Sequence, residues 1–256
     1  MIFAAGLGTR LKPLTDTRPK ALVEVDGRPL LDIVAQRLVD QGCDSLVVNA
    51  HHFADQIIEH VSSAGAALQD CPCFPQDAVA HMFHDVPTAV SDESERLLDT
   101  GGGILKARPL LEGGGRFLVH NVDILSNLDI ARLAAAARPD ALATLVVSRR
   151  KTSRYLLFDQ DMRLVGWTDI RTGEVKGRPG PFALAFSGIH LLSDGIFDEM
   201  SGLHASGDAF PIIDFYLSVA DRRPIYGYEP ADLELIDVGK PETLALAEAC
   251  PFKSLF

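Results

Sequence analysis

Two prolines close behind two glycines set the strongest constraint on this chain. Ile2, Phe3, Ala4 and Ala5 form a short apolar run that reads as a strand. The run empties into Gly6-Leu7-Gly8-Thr9-Arg10-Leu11-Lys12-Pro13-Leu14-Thr15, and Pro19-Lys20 follow. Each proline removes an amide donor and disfavours helix in the residue before it, so no helix is expected where the glycines end. Residues 6–20 are expected as an extended loop. Glycine lets backbone amides approach an anion closely, and Arg10, Lys12 and Lys20 place positive charge beside them. Such a loop suits a phosphate.

Two common phosphate loops do not fit. A Walker A loop needs Gly-x-x-x-x-Gly-Lys-Ser/Thr, but Leu11 stands where the second glycine belongs. The dinucleotide fingerprint Gly-x-Gly-x-x-Gly fails at the same Leu11, although Asp26 lies where a ribose-binding acid is expected. A nicotinamide-dependent dehydrogenase is therefore disfavoured.

The loop resembles the signature of the sugar-1-phosphate nucleotidyltransferases, Gly-x-Gly-Thr-Arg-Leu-x-Pro-Leu-Thr followed by Pro-Lys. Gly6, Gly8, Thr9, Arg10, Leu11, Pro13, Leu14, Thr15, Pro19 and Lys20 carry that match. Later segments extend it. Asp99-Thr100-Gly101-Gly102-Gly103-Ile104-Leu105-Lys106-Ala107 is similar to a Glu-Thr-Gly-Gly-Gly-Ile-x-Lys-Ala stretch of the N-acetylmuramate-1-phosphate uridylyltransferases, with Asp99 replacing Glu. Ser187-Gly188-Ile189 matches a Ser-Gly-Ile strand, and Asp237-Val238-Gly239-Lys240-Pro241-Glu242 matches an Asp-x-Gly-x-Pro-Glu segment. Asn121-Val122-Asp123 departs from the family, which usually has glycine between the Asn and the Asp. A Glu-Lys-Pro segment found in thymidylyl- and guanylyltransferase relatives is absent between Gly166 and Lys176, which favours the compact uridylyltransferase-like branch.

The resemblance implies a reaction and a division of labour. A nucleotidyl group passes from a nucleoside triphosphate to a sugar 1-phosphate, giving an NDP-sugar and pyrophosphate. Such chemistry asks for positioning and charge neutralisation. Arg10 is expected on the leaving pyrophosphate and Lys20 at the reacting phosphates, as the catalytic pair. Ala4, Ala5, Gly6, Gly8, Thr9 and Gly101 join them in holding the nucleotide. Thr100, Gly102, Gly103, Asn121 and Gly188 are expected on the sugar. Asp123 and Asp237 are expected to hold Mg²⁺, which takes few carboxylates and completes its shell with phosphate and water.

UTP with N-acetylmuramate 1-phosphate, in cell-wall (peptidoglycan) recycling, is the leading substrate pair. GTP, dTTP or CTP with mannose, heptose or glucose 1-phosphate or phosphocholine is the alternative. A catalytically silent nucleotide-sugar sensor or regulatory subunit is a reading of another class, and Val122 keeps it open.

The rest of the chain agrees with a single domain over residues 1–256. Its 256 residues are 47% hydrophobic, enough for a full core, and its net charge of −11 argues against a general nucleic-acid binder. Locally the sign reverses: Arg10, Lys12, Arg18, Lys20 and Arg28 outnumber Asp16, Glu24 and Asp26 around the loop. No apolar run is long enough for a membrane span, and no signal peptide is evident. Cys43, Cys71, Cys73 and Cys250 are irregularly spaced and read as reduced thiols of a cytoplasmic protein. His51-His52 and His81-x-x-His84 lack partner ligands at metal-site spacings.

Apolar strand patterns at 45–49, 116–120 and 141–147 alternate with helical patterns at 30–39, 53–61 and 128–137. This predicts an α/β fold: a mainly parallel, mixed Rossmann-like open sheet with helices on both faces, of the nucleotide-diphospho-sugar transferase type. A hairpin is expected around Gln160-Asp161, and a further strand around 81–86. Monomer and homodimer are both compatible with the sequence.

Overall fold

The computed structural model describes residues 1–69 and 71–249. Cys250 and the far end of the expected domain lie outside the described residues.

Ile2–Phe3, only two residues long, sits at the centre of the sheet. It pairs in parallel with Leu46–Ala50 on one side and Arg116–Asn121 on the other. Val86–Asp92 extends the parallel group beyond Leu46–Ala50. All five residues of Leu46–Ala50 are buried, as expected of a parallel strand covered on both faces. The long strand Phe182–Ser193 then runs antiparallel to Arg116–Asn121. Beyond it lie Arg154–Phe158, Leu164–Asp169 and Glu174–Gly177, all antiparallel. Ala143–Ser148 bridges Phe182–Ser193 and Ile225–Tyr228. Among the described residues these elements and two short strands, Ala67–Leu68 and Ala80–Phe83, make one twelve-stranded mixed sheet. The expected Rossmann-like architecture holds: parallel strands form the heart of the sheet and helices cover both faces.

Two apolar layers fix the helices. On one face Leu30–Asp40 and Ala54–Ser63 bury Leu30, Leu31, Val34, Ile57 and Val61, together with Ala247 from Pro241–Glu248. On the other, Asp99–Lys106, Gly195–Ser201 and Ile212–Val219 bury Ile104, Phe197, Phe215 and Tyr216. Fully burying each such side chain is worth about 1.5–3 kcal/mol.

The sequence reading differs from the structure in places. The strand expected around 81–86 is a hairpin, Ala80–Phe83 with Val86–Asp92, because His84 and Asp85 take positive φ (51° and 64°) and turn the chain. Gly195–Ser201, Glu174–Gly177 and Ile225–Tyr228 are elements the patterns did not announce. Cys43, Cys71 and Cys73 are free thiols. No helix among the described residues is long and apolar enough to cross a membrane.

A small ribbon matters most for the site. Leu235–Asp237 pairs antiparallel with Ile124–Ser126, setting Asp237 opposite Ile124. The Val238 amide then donates to the Asp123 carbonyl at 2.7 Å. Two aspartates far apart in sequence are thus brought side by side.

Candidate active site

A cleft of about 440 Å³ opens at the carboxyl ends of Ile2–Phe3 and Arg116–Asn121, the place where open α/β sheets receive ligands. Gly6, Gly8, Thr9 and Arg10 line one wall. Gly8 takes φ 64°, and its carbonyl accepts the Leu11 amide and the Thr15 hydroxyl, each at 2.9 Å. A Cβ on Gly8 would lie 2.8 Å from Thr15 Cγ2, so both conformation and space demand glycine. Leu11 is 1% exposed and pins the loop to the core, while the neighbouring Arg10 stays exposed.

Ala4 and Ala5 also line the cleft, but their amides are not free for an anion. Both donate to Asn49 Oδ1, at 2.7 and 3.3 Å. Ala4 and Ala5 therefore face the cleft with their amide donors already held by protein.

The charged groups converge opposite the glycines. Lys20 is 8% exposed and its Nζ is ion-paired with Asp123 Oδ2. Asp237 lies just behind Gly239, which lines the cleft. A Cβ on Gly239 would sit 2.6 Å from both Arg10 Nη2 and Asp237 Oδ1, so the guanidinium and the carboxylate flank that glycine. Asp237 Oδ1 is buried without a hydrogen-bond partner. An unsatisfied buried acceptor costs about 1–3 kcal/mol, more for a charged one, and a cation would relieve it. No group of three or more His, Cys, Asp and Glu is gathered as a metal site among the described residues. Asp123 and Asp237 are the pair that suits Mg²⁺, an ion content with one or two carboxylates beside substrate phosphates.

Asn121 lines the floor of the cleft. Gly188, expected on the sugar, does not line it. Its φ is 79°, and a Cβ there would lie 2.5 Å from Asn121 Nδ2, so Gly188 makes room for that side chain. Behind Asn121, His120 is buried and its Nδ1–H donates to the Asn121 carbonyl at 2.8 Å. Burial pushes His120 down to about 4, leaving it neutral near pH 7. Val122, where relatives have glycine, is 4% exposed and packs with the core that holds Ile124, Leu125 and Leu11. Much of its bulk is absorbed there, although it still contributes to the cleft wall.

The glycine triplet has a different task from the one expected. Gly101, Gly102 and Gly103 lie inside the helix Asp99–Lys106, are buried, and do not line the cleft. A Cβ on Gly101 would strike the Phe210 ring at 2.3 Å, and one on Gly102 the Asp208 carbonyl at 2.2 Å. On Gly103 it would meet Glu93 Oε1 at 2.8 Å. The triplet permits close helix packing, and its side-chain faces are filled by protein. Thr100 does line the cleft, but its Oγ1 accepts the Ile212 amide at 2.9 Å. Asp99, replacing Glu, takes φ 59° and accepts the Thr100 amide at 2.6 Å. Aspartate tolerates that backbone region better than most residues.

Sequence reasoning missed Asn49, Leu97 and Gly239 on the cleft wall. Asn49 left one signal, an amide side chain inside a run that is otherwise apolar.

A second cavity of about 520 Å³ is lined in part by Tyr155, Trp167, Phe186, Arg150, Arg154 and Lys176. Phe186 packs in the same apolar layer as Phe3 and Phe117, so it shares the sheet face that Phe3 presents to the cleft. Pro211 and Ile213 also border this cavity, flanking the Ile212 whose amide is held by Thr100. Lys176 Nζ is 2.8 Å from Asp214 Oδ1 and 5.3 Å from the Trp167 ring centre. Arg150 Nη2 donates to the Phe186 carbonyl at 2.9 Å.

Comparison with known proteins accounts for this arrangement. The profile of the nucleotidyl transferase family matches residues 1–171. An N-acetylmuramate alpha-1-phosphate uridylyltransferase of Caulobacter vibrioides is 30% identical over 253 residues, 97% of this chain and 95% of that protein. A protein of the same description from Neisseria meningitidis is 34% identical over 203 residues, 77% of this chain and 76% of its own. The crystal structure of HddC from Yersinia pseudotuberculosis, complexed with GMP-PN, superposes with a TM-score of 0.69 over 97% of this chain and 96% of its own. At 24% identity that likeness shows the fold. With fold, phosphate loop and length all accounted for, the chain belongs to the sugar-1-phosphate nucleotidyltransferases, enzymes that move a nucleotidyl group from a nucleoside triphosphate to a sugar 1-phosphate.

Proposed function

We propose that this protein transfers a uridylyl group from UTP to N-acetylmuramate 1-phosphate, releasing pyrophosphate, in the recycling of cell-wall sugar. The observation that carries the chemistry is the gathering of Arg10, Lys20 and Asp123 on one cleft beside a glycine loop, with Asp237 next to Gly239 behind its wall. The attacking sugar-phosphate oxygen and the α-phosphate are both anionic, so bringing them together requires fixed positive charge. Lys20, held in the cleft wall by Asp123, lies where it can contact both. Arg10 is an exposed cation on the loop beside the cleft and suits the departing pyrophosphate. Asp123 and Asp237 would hold Mg²⁺, which supplies further neutralisation of the phosphates when bound. Gly6 and Gly8 keep that wall free of side chains, so the triphosphate can lie against backbone.

The sugar assignment is supported by two relatives of matching length and by the second cavity. Aromatic faces such as Tyr155 and Trp167 suit a sugar ring, and N-acetylmuramate differs from other N-acetylhexosamines by a lactyl carboxylate. The cavity lining carries Arg150, Arg154 and Lys176 beside Glu174 and Asp214, and with Lys176 paired to Asp214 and Arg154 to Asp169, Arg150 is the cation offered to it. The test is a matrix of each NTP against a panel of sugar 1-phosphates and phosphocholine with Mg²⁺, reading pyrophosphate. The expected maximum is UTP with N-acetylmuramate 1-phosphate. A maximum at another pair refutes the substrate assignment, and silence throughout refutes the activity.

A further inference from the structure

Behind the cleft, two polar side chains lie in an otherwise apolar layer. Asn49 and Glu93 are each 1% exposed. Asn49 Oδ1 accepts the amides of Ala4 and Ala5, so its Nδ2 is turned toward Glu93 and donates to Oε1 at 2.7 Å. The other carboxylate oxygen, Oε2, accepts the Leu98 amide at 3.4 Å. Ala4 and Ala5 open the phosphate loop. Leu97 to Thr100 form the opposite lip, and Leu97, Asp99 and Thr100 line the cleft. The Glu93 backbone is itself anchored, with its amide on the Ala50 carbonyl at 2.6 Å and its carbonyl receiving His51 Nδ1 at 2.7 Å.

We propose that Asn49 and Glu93 are a positioning pair that fixes the phosphate loop against the Leu97–Thr100 lip, and so sets the gap into which the nucleotide fits. The inference rests on the cleft being the nucleotidyl-transfer site.

Three observations support it. The chain of hydrogen bonds runs without a break from one lip to the other, and every donor and acceptor in it has only one sensible direction. Gly103 is shaped to the pair: a Cβ there would lie 2.8 Å from Glu93 Oε1 and 3.2 Å from Asn49 Nδ2. The helix thus rests directly on the two side chains. Finally, the carboxylate is costly. Burial pushes the Glu93 carboxyl up, and hydrogen bonds from Asn49 and the Leu98 amide offset this only in part. A group that weakens the fold at neutral pH yet joins two walls of a cleft is better explained by geometry than by stability.

The direction of the central hydrogen bond provides the test. Asn49→Asp sets two carboxylates against each other. Glu93→Gln must turn either a second donor on Asn49 Nδ2 or a donor on the Leu98 amide. The double variant N49D/E93Q restores every bond, with the central one reversed: the Gln amide donates to the new Asp, its oxygen accepts Leu98, and the new Asp accepts Ala4 and Ala5. Net charge is unchanged. Purified full-length proteins are compared by pyrophosphate release and by thermal melting. Each single variant is expected to lose about 100-fold in kcat/KM, the scale of an ångström-level misplacement, mainly in kcat. The double variant is expected to regain at least tenfold over either single one. A double variant no better than the better single one, or single variants within threefold of wild type, overturns the proposal. Gly103→Ala, which pushes on the same two side chains, gives an independent reading if a single variant does not fold: an unchanged kcat/KM there also overturns it. Should wild type release no pyrophosphate from any substrate pair, the activity is what fails. The pair is then judged by calorimetric affinity for whichever of the four NTPs wild type binds best. A tenfold loss in the single variants with recovery in the double one upholds the proposal, and equal affinities overturn it.

Discussion

Replacing Gly239 with alanine is a small change with a sharp expected consequence. Gly239 does not take positive φ, so alanine meets no backbone strain there. The new methyl would lie 2.6 Å from Arg10 Nη2 and 2.6 Å from Asp237 Oδ1, where ordinary contact begins at 3.4 Å. Both contacts must therefore open by about 0.8 Å. Asp237 is fixed by the ribbon with Ile124–Ser126 and by the Val238 amide on the Asp123 carbonyl. Arg10 is exposed and long and yields easily, whereas the Asp237 carboxylate must turn on a backbone that is held. A displacement near 1 Å in a positioned catalytic group costs about 100-fold in rate, or about 2.7 kcal/mol of barrier. Stability should fall by only about 1 kcal/mol, since overpacking against Asp237 costs about 1–3 kcal/mol and Gly→Ala returns about 0.4–1 kcal/mol through the unfolded chain. The expected result is a 30- to 100-fold drop in kcat/KM (on the scale of that estimate) for Mg²⁺-dependent pyrophosphate release, with Tm within about 4 °C of wild type. The variant G239A/R10A should then lose less than the two single losses combined, because part of the methyl's effect acts through the group already removed. Wild-type activity in Gly239→Ala refutes the reasoning, as does a loss of activity that adds fully to that of Arg10→Ala.

Asp123→Ala and Asp237→Ala should each abolish Mg²⁺-dependent pyrophosphate release, and calorimetry with MgCl₂ and UTP should show weakened joint binding; near-normal turnover in either variant removes that residue from the metal pair. Lys20→Ala should depress kcat strongly, and an unchanged kcat/KM would take Lys20 out of the reaction. Arg150→Ala should raise KM for N-acetylmuramate 1-phosphate about fivefold to tenfold, the worth of roughly 1 kcal/mol for a partly exposed charge-assisted hydrogen bond, while leaving a sugar without the lactyl carboxylate unaffected. Equal effects on both sugars would show that Arg150 does not read the carboxylate. Asp32 tests the fold by pH: burial raises its carboxyl, but hydrogen bonds from His60 and His84 outweigh this and hold it well below the usual carboxylate range. A carboxyl lowered on folding stabilises above its unfolded value of about 3.9 and loses that contribution as pH falls toward its folded value. The Tm gap between wild type and Asp32→Asn should accordingly be full at pH 7 and narrow below about pH 4; a gap independent of pH contradicts the ion pairing.

How much of this was legible in the sequence depends on how far each interaction reaches. The phosphate loop was legible because its constraints are local. Pro13 and Pro19 bar a helix, Gly8 needs its left-handed φ, and Leu11 anchors three residues on. The alternation of strands and helices was legible because period and burial go together in a sheet covered on both faces. Asp123 and Asp237 could be named from their motifs, but their adjacency is a matter of register between Leu235–Asp237 and Ile124–Ser126, which no local pattern encodes. The pairing of Asn49 with Glu93 was invisible for the same reason. They meet only because Leu46–Ala50 and Val86–Asp92 pair in parallel with Asn49 opposite Ser91, which brings the end of one strand level with the end of the other.

The glycines show the difference most directly. A glycine in sequence says that a side chain is not tolerated, and it does not say what occupies the space. At Gly8 the occupant is the loop's own Thr15, at Gly101 it is Phe210, at Gly188 it is Asn121, and at Gly239 it is Arg10 on one side and Asp237 on the other. Reading Gly8, Gly101 and Gly188 as surfaces for substrate was a natural expectation for a phosphate-binding chain. The structure redistributes the role: Gly6 leaves the cleft wall bare, while Gly8, Gly101, Gly188 and Gly239 make room for protein groups around it. Substitutions at Gly103 and Gly239 should therefore act on turnover through Glu93, Asn49 and Arg10, whereas any side chain at Gly188 also meets a positive φ and costs stability besides displacing Asn121.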